Sequence, residues 1–204
     1  MDGLPQRLAQ QIRFIIEIDK LKAVLRRSYV TCADRRENSA EHSWHVAMMA
    51  MTLAEYAEES VDLLRVLKMV LIHDIIEIDA DDTFCYDEAG NRDKAEREQR
   101  AADRLFNLLP RDQADEFRVL WDEFEARQTP ESRFAAALDR LMPLLHNVYT
   151  EGRTWQKHDI VREQVLAHNR PIEDGAPTLW TFARAIIQYA VDVGYLAAGG
   201  DELD

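Results

Sequence analysis

The chain has 204 residues, 47% of them hydrophobic, and its 38 acidic against 25 basic side chains give a net charge of −13. That is enough apolar material for one domain with a substantial core, and the acidic balance argues against extended binding to nucleic acid or to an anionic membrane. Cys32 and Cys85 lack a CxxC spacing and read as reduced thiols, the N-terminus shows no secretion signal, and no apolar run reaches the roughly 18 residues of a membrane span, so a cytoplasmic protein is expected.

Gly and Pro are scarce, at 7 and 6, and apolar residues recur at helical rather than alternating spacing. The expected fold class is therefore all-α, a single bundle of about seven to nine helices over residues 1–198 followed by an acidic tail at 199–204. A first helical region is expected from about Pro5 to Arg26 with a break near Asp19, then a loop from Ser28 to Ser39. Lys20, Lys22, Arg26, Arg27, Arg35 and Arg36 make this stretch locally positive, which suits a small anion or, equally, a solvated basic face. Asn38 stands three residues before Glu41, a capping box that starts a helix to about Glu58, places His42 in its first turn and puts His45 on the same face.

The next helix, about Asp62 to Asp79, carries His73-Asp74 inside an apolar stretch from Leu63 to Ile78. Burying an imidazole and a carboxylate is costly, on the order of 2–7 kcal/mol even for a neutral polar group, unless hydrogen bonds, a counter-charge or a metal ion compensate. An acidic loop from Asp79 to Asn91 follows, then two amphipathic cover helices, about Arg92 to Leu109 and Pro110 to Ala126. Thr129-Pro130 begins a helix in which Asp139 lies among apolar residues, and Pro143 withholds the hydrogen bond due to the Asp139 carbonyl, so a kink or loosening is expected there. A loop near Gly152, a helix of about Asp159 to His168, a turn from Pro171 to Pro177 and a last helix from Thr178 to about Leu196 complete the chain. The tail is expected to fray.

His42, His73, Asp74 and Asp139 together offer two imidazoles and two carboxylates, a mixed set suited to one divalent first-row ion such as manganese, cobalt, iron, nickel or zinc. An ion so held has positions left for water or a phosphate oxygen, which points to phosphoester hydrolysis. Glu77 shares the face of His73 and Asp74 and either handles a proton or orients a ligand. Asp82 either accepts a hydrogen bond from a substrate hydroxyl or is a solvated carboxylate. His146, seven residues after Asp139 and on its face, either approaches the site or is a satisfied interior histidine, the reading favoured here, and His158 and His168 read as surface residues.

The order His42, His73-Asp74, Asp139, with the flanking Arg36-Glu37-Asn38-Ser39-Ala40-Glu41-His42-Ser43 and His73-Asp74-Ile75-Ile76-Glu77, resembles the HD-domain metal-dependent phosphohydrolases, in particular the subgroup that contains bacterial 5'-deoxynucleotidases. The resemblance runs from about Leu21 to Asn147. It implies an all-α fold, one divalent metal, removal of phosphate from nucleoside 5'-monophosphates, and a homodimer. Residue by residue, it implies His42, His73, Asp74 and Asp139 as metal ligands, Glu77 and Asp82 as catalytic and substrate-contacting acids, and Arg26, Arg27 or Arg36 as substrate-binding cations. It also favours His42 over His45, leaving His45 as a core or supporting histidine. Where the deoxynucleotidases carry an Arg-Trp pair this chain has Arg26-Arg27, so the sugar preference stays open. Two alternatives also stay open: hydrolysis of another small phosphoester or signalling nucleotide, and a catalytically silent module that binds metal or nucleotide.

Overall fold

The computed structural model describes residues 5–87, 90 and 92–199. Helix α1 (Gln6–Ile18) gives way to a 3-10 turn over Asp19–Ala23, so the break falls at Asp19. The chain then leaves the helical path. Strands β1 (Leu25–Tyr29) and β2 (Arg36–Asn38) pair antiparallel, with Leu25 opposite Asn38 and Tyr29 opposite Arg36. Arg26 therefore lies on a strand, and most of the expected loop is a short hairpin. Its alternation explains the placement of charges: Val24, Arg26 and Ser28 turn inward while Leu25 and Arg27 face solvent.

Helix α2 (Ser39–Leu53) begins at the expected capping box: the Asn38 side chain accepts from Glu41 N, and the Glu41 side chain accepts from Asn38 N. Helix α3 (Leu63–Ile72) is capped by Asp62, which accepts from Leu64 N and Arg65 N. Here the structure departs from one long helix. The turn tightens to 3-10 geometry over His73–Ile76 and resumes as α4 (Glu77–Ala80). A threefold repeat stacks residues i and i+3, so Asp74 and Glu77 fall on one side of the backbone.

The cover helices are α5 (Lys94–Phe106) and α6 (Arg111–Ala126). Helix α7 (Pro130–Tyr149) is the axis of the molecule: Phe134, Ala135, Ala136, Ala137, Leu138, Leu141 and Met142 are all buried. It starts at Thr129 with Pro130 in the first turn and runs through Pro143 without ending. Helices α2, α3, α6 and α11 surround it, together with the short α10. The remaining elements are α8 (Arg153–Lys157), α9 (Arg162–Asn169), α10 (Ile172–Gly175) and α11 (Pro177–Asp192). Helices α8 and α10 occupy stretches expected as loop and turn.

Gly175 shows why α10 sits so close to α7: a Cβ there would stand 2.3 Å from the Arg133 carbonyl oxygen and 2.8 Å from Phe134 N. Only glycine permits that approach. No helix among the described residues is long and apolar enough to cross a membrane. Of the acidic loop, residues 88, 89 and 91 lie outside the described residues, as do residues 200–204 of the expected tail.

Candidate active site

Four elements converge on one point. Helix α2 brings His42, fully buried; the 3-10 turn brings His73 and Asp74; α7 brings Asp139; and β1 brings Arg26. His42 Nε2 lies 2.9 Å from Asp139 Oδ1, and His73 Nε2 lies 3.4 Å from the same oxygen and 3.0 Å from Asp74 Oδ1. Arg26 Nη1 donates to Asp74 Oδ2 at 2.8 Å, and its Nη2 stands 3.9 Å from Asp139 Oδ1. Glu77 Oε1 is 3.8 Å from Arg26 Nη1, while its Oε2 accepts from Ser39 Oγ at 2.6 Å.

The donor chemistry fits a cation. His73 Nδ1 lies 2.9 Å from the Val70 carbonyl oxygen, and a neutral imidazole donating there presents the Nε2 lone pair to Asp74 and Asp139. Buried acceptors then face each other, and His73 Nε2 makes no hydrogen bond. Only a proton or a metal ion between them relieves this. One imidazole or carboxylate atom each from His42, His73 and Asp139 lies within 4.8 Å of the others, spacing that one ion can draw together.

The electrostatics show the same strain. Burial opposes a charge on His73, but Asp74 and Asp139 outweigh it and lift the imidazole to about 9 in the metal-free chain. Burial and the neighbouring Asp74, partly offset by Arg26, push Glu77 up to about 8. Burial likewise raises Asp82. Asp139 moves the other way: its hydrogen bond with His42 and the neighbouring His73 imidazole overcome burial and hold it well below the usual carboxylate range.

A cavity of about 200 Å³ opens onto this cluster. Arg26, His73, Asp74, Glu77, Asp82 and Asp139 line it, with the exposed Arg27 at its edge and Phe84, Tyr86, Trp155, Arg140 and His168 around the rest. Arg36 does not line it. It sits on β2, where strand alternation turns the adjacent Glu37 inward instead. His168 is not a surface residue: it lines the cavity, its ring packs against Tyr86, and Arg140 Nη1 donates to its carbonyl at 2.6 Å. His158 is half-buried, and its ring packs at a tilt against Phe84.

Two further histidines differ from expectation. His45, one turn beyond His42, is exposed rather than in the core. His146 is buried, yet its Nδ1 makes no hydrogen bond, so it is not a satisfied interior histidine. Sequence reasoning also missed Glu37 and Ser39, which flank the recognised cap Asn38. Glu37 is 2% exposed and lies 3.4 Å from His42 Nδ1 and 3.3 Å from Ser28 Oγ. An apolar-free alternation over Arg36-Glu37-Asn38 gave no hint that its middle residue points inward.

Comparison with known proteins matches these observations. The chain has 56% sequence identity to a protein of Magnetospirillum magnetotacticum MS-1 named a predicted metal-dependent phosphohydrolase, with a TM-score of 0.91 over 97% of this chain and all of that one. A Pyrococcus horikoshii OT3 protein at 21% identity shares the fold, with a TM-score of 0.61 over 87% of this chain and 98% of that one. The mouse (Mus musculus) 5'-deoxynucleotidase HDDC2 is 28% identical over 135 residues, 66% of each chain, so this chain spans just under two thirds of that relative's length. The HD-domain family model covers residues 18–180, from the break after α1 to the start of α11 and across every residue of the buried His-Asp cluster. The chain belongs to the HD-domain family.

Proposed function

We propose that the protein is a metal-dependent phosphohydrolase that releases phosphate from nucleoside 5'-monophosphates. The observation that carries this reading is the convergence of His42, His73, Asp74 and Asp139 beside Arg26 and Glu77 at one end of an open cavity. Support comes from the relatives named a metal-dependent phosphohydrolase and a 5'-deoxynucleotidase.

In this reading His42, His73, Asp74 and Asp139 hold one divalent ion. When bound, such an ion polarises a phosphoryl group and lowers the pKa of water. The chain's own residues supply the rest. Arg26 is the cation that faces the cluster, and its planar guanidinium suits the oxygens of a phosphate. Glu77, raised to about 8, changes protonation near neutrality, so it can take a proton from the attacking water or return one to the leaving oxygen. Ser39 holds Glu77 in place by donating to Oε2. Asp82 and Arg27, at the cavity lining, are assigned to the sugar and phosphate, and Phe84, Tyr86 and Trp155 offer apolar surface to the base. Arg36 has no role here. A cytoplasmic homodimer, with residues 1–198 as one domain, completes the reading on the strength of the family resemblance.

The test is product analysis with metal-restored protein across paired ribo- and deoxyribonucleoside 5'-monophosphates and a nucleoside triphosphate. Inorganic phosphate from the monophosphates is the expected result. Pyrophosphate from the triphosphate, with monophosphates untouched, would replace this substrate class with a signalling-nucleotide type.

A further inference from the structure

Toward the Nδ1 side of His42, away from the Nε2 that meets Asp139, lies a second group of metal-ligating side chains. Glu37 on β2, His45 on α2 and His146 on α7 each place one ligand-type atom within 4.8 Å of the other two. None of the three lines the cavity. Glu37 Oε2 and His146 Nδ1 are already 3.6 Å apart, and donors bound to one first-row ion at about 2.0–2.2 Å stand roughly 3–4 Å from each other.

Of the two buried members, Glu37 accepts from Ser28 Oγ, whereas His146 is not otherwise satisfied. His146 is 4% exposed and its Nδ1 has no hydrogen-bond partner, although it points at a carboxylate that is itself 2% exposed. A buried imidazole nitrogen without a partner loses its solvation for no return. His45 is the open edge of the group: it is exposed, and its ring centroid lies 6.2 Å from that of His146. Two imidazoles and one carboxylate, with one side facing solvent, make a partial shell that favours a first-row transition ion over calcium or magnesium.

We propose that Glu37, His45 and His146 form a second divalent transition-metal site, reached from solvent past His45. It is distinct in ligands from the cluster of His42, His73, Asp74 and Asp139, and Glu37 is the residue between the two. Glu37 Oε2 is 3.4 Å from His42 Nδ1 and 3.9 Å from Arg26 Nε, so the guanidinium already offsets part of its charge. With one carboxylate against the two of the first cluster, and one of its imidazoles exposed, the second site is the weaker one.

The test is metal stoichiometry of the full chain, stripped and then reloaded with zinc or cobalt and measured by elemental analysis after removal of free ion. Because His45 is exposed, His45→Ala leaves the core packing intact; circular dichroism checks this. Wild type is expected to hold about one equivalent more than His45→Ala, and His146→Gln is expected to lose the same equivalent. Asp139→Ala separates the sites, since it removes an ion from the first cluster only. An unchanged count in both His45→Ala and His146→Gln overturns the second site, and a loss in Asp139→Ala alone would do so while leaving the proposed function standing.

Discussion

In the proposed reaction Glu77 would have two requirements to meet: it must be close enough to the His-Asp cluster to act, and its proton must be movable near neutral pH. Its 3.8 Å separation from Arg26 and its pKa near 8 meet both. Glu77→Gln keeps the shape and removes the proton-handling group, so turnover is expected to fall about 10²–10⁴-fold with metal content unchanged, checked by kinetics beside elemental analysis. The same groups set a pH dependence of stability in the metal-free chain. His73 is raised from 6.5 to about 9, so its stabilising charge is fully present below 6.5 and lost as pH rises through 9. Glu77 is raised from 4.5 to about 8, so the folded chain keeps a proton that the unfolded chain releases, and stability again declines as pH rises over that window. Thermal melts of metal-free protein are expected to show a falling midpoint from pH 6.5 to 9; a flat or rising midpoint contradicts the charges assigned to this cluster. At this scale the ligand-type residues were legible because an ionisable pair inside an apolar run is conspicuous. Glu37 was not, because nothing in a polar tripeptide shows which side chain the hairpin turns inward.

At the scale of elements, the site depends on how helices begin and change pitch. The capping box of Asn38 and Glu41 fixes the first turn of α2, and that turn carries His42. Asn38→Ala is expected to cost about 1 kcal/mol by denaturant melt and to weaken metal retention, because losing the cap frays the turn that aims the imidazole. Leu138 precedes Asp139 on α7 and is fully buried. Leu138→Ala is expected to cost about 2–5 kcal/mol, measured the same way. Helix starts at Asn38 and Thr129-Pro130 were readable because each is marked by side-chain chemistry specific to a cap, while for α3 the sequence offered both Ser60 and Asp62 and the structure uses Asp62. The tightening to 3-10 geometry at His73 was not readable, since the stretch Leu63 to Ile78 holds no Gly or Pro to mark a change of pitch. The hairpin of β1 and β2 was hidden as well: its strands are short and basic, and the side chains they turn inward include the charged Arg26 and Glu37, so no apolar alternation marks them.

Over the whole molecule, apolar periodicity was sufficient to indicate a helical bundle, because α7 and its surrounding helices bury long stripes that no other architecture accommodates. It could not indicate that Arg26, from the N-terminal quarter of the chain, closes on Asp139 from the seventh helix, because that proximity depends on the hairpin. Arg26 stands against several carboxylates of the site, and in the proposed reading a divalent ion would add the positive charge they still lack. In the proposed function His42, His73, Asp74 and Asp139 hold the ion on which hydrolysis depends. The most direct test is phosphate release from nucleoside 5'-monophosphates by stripped protein, before and after restoring single divalent metals, with wild type and Asp74→Ala in parallel. The expected result is release by wild type only after metal is restored, with Asp74→Ala reduced at least about 100-fold under every metal. Comparable release by Asp74→Ala, or by wild type without metal, would contradict the account.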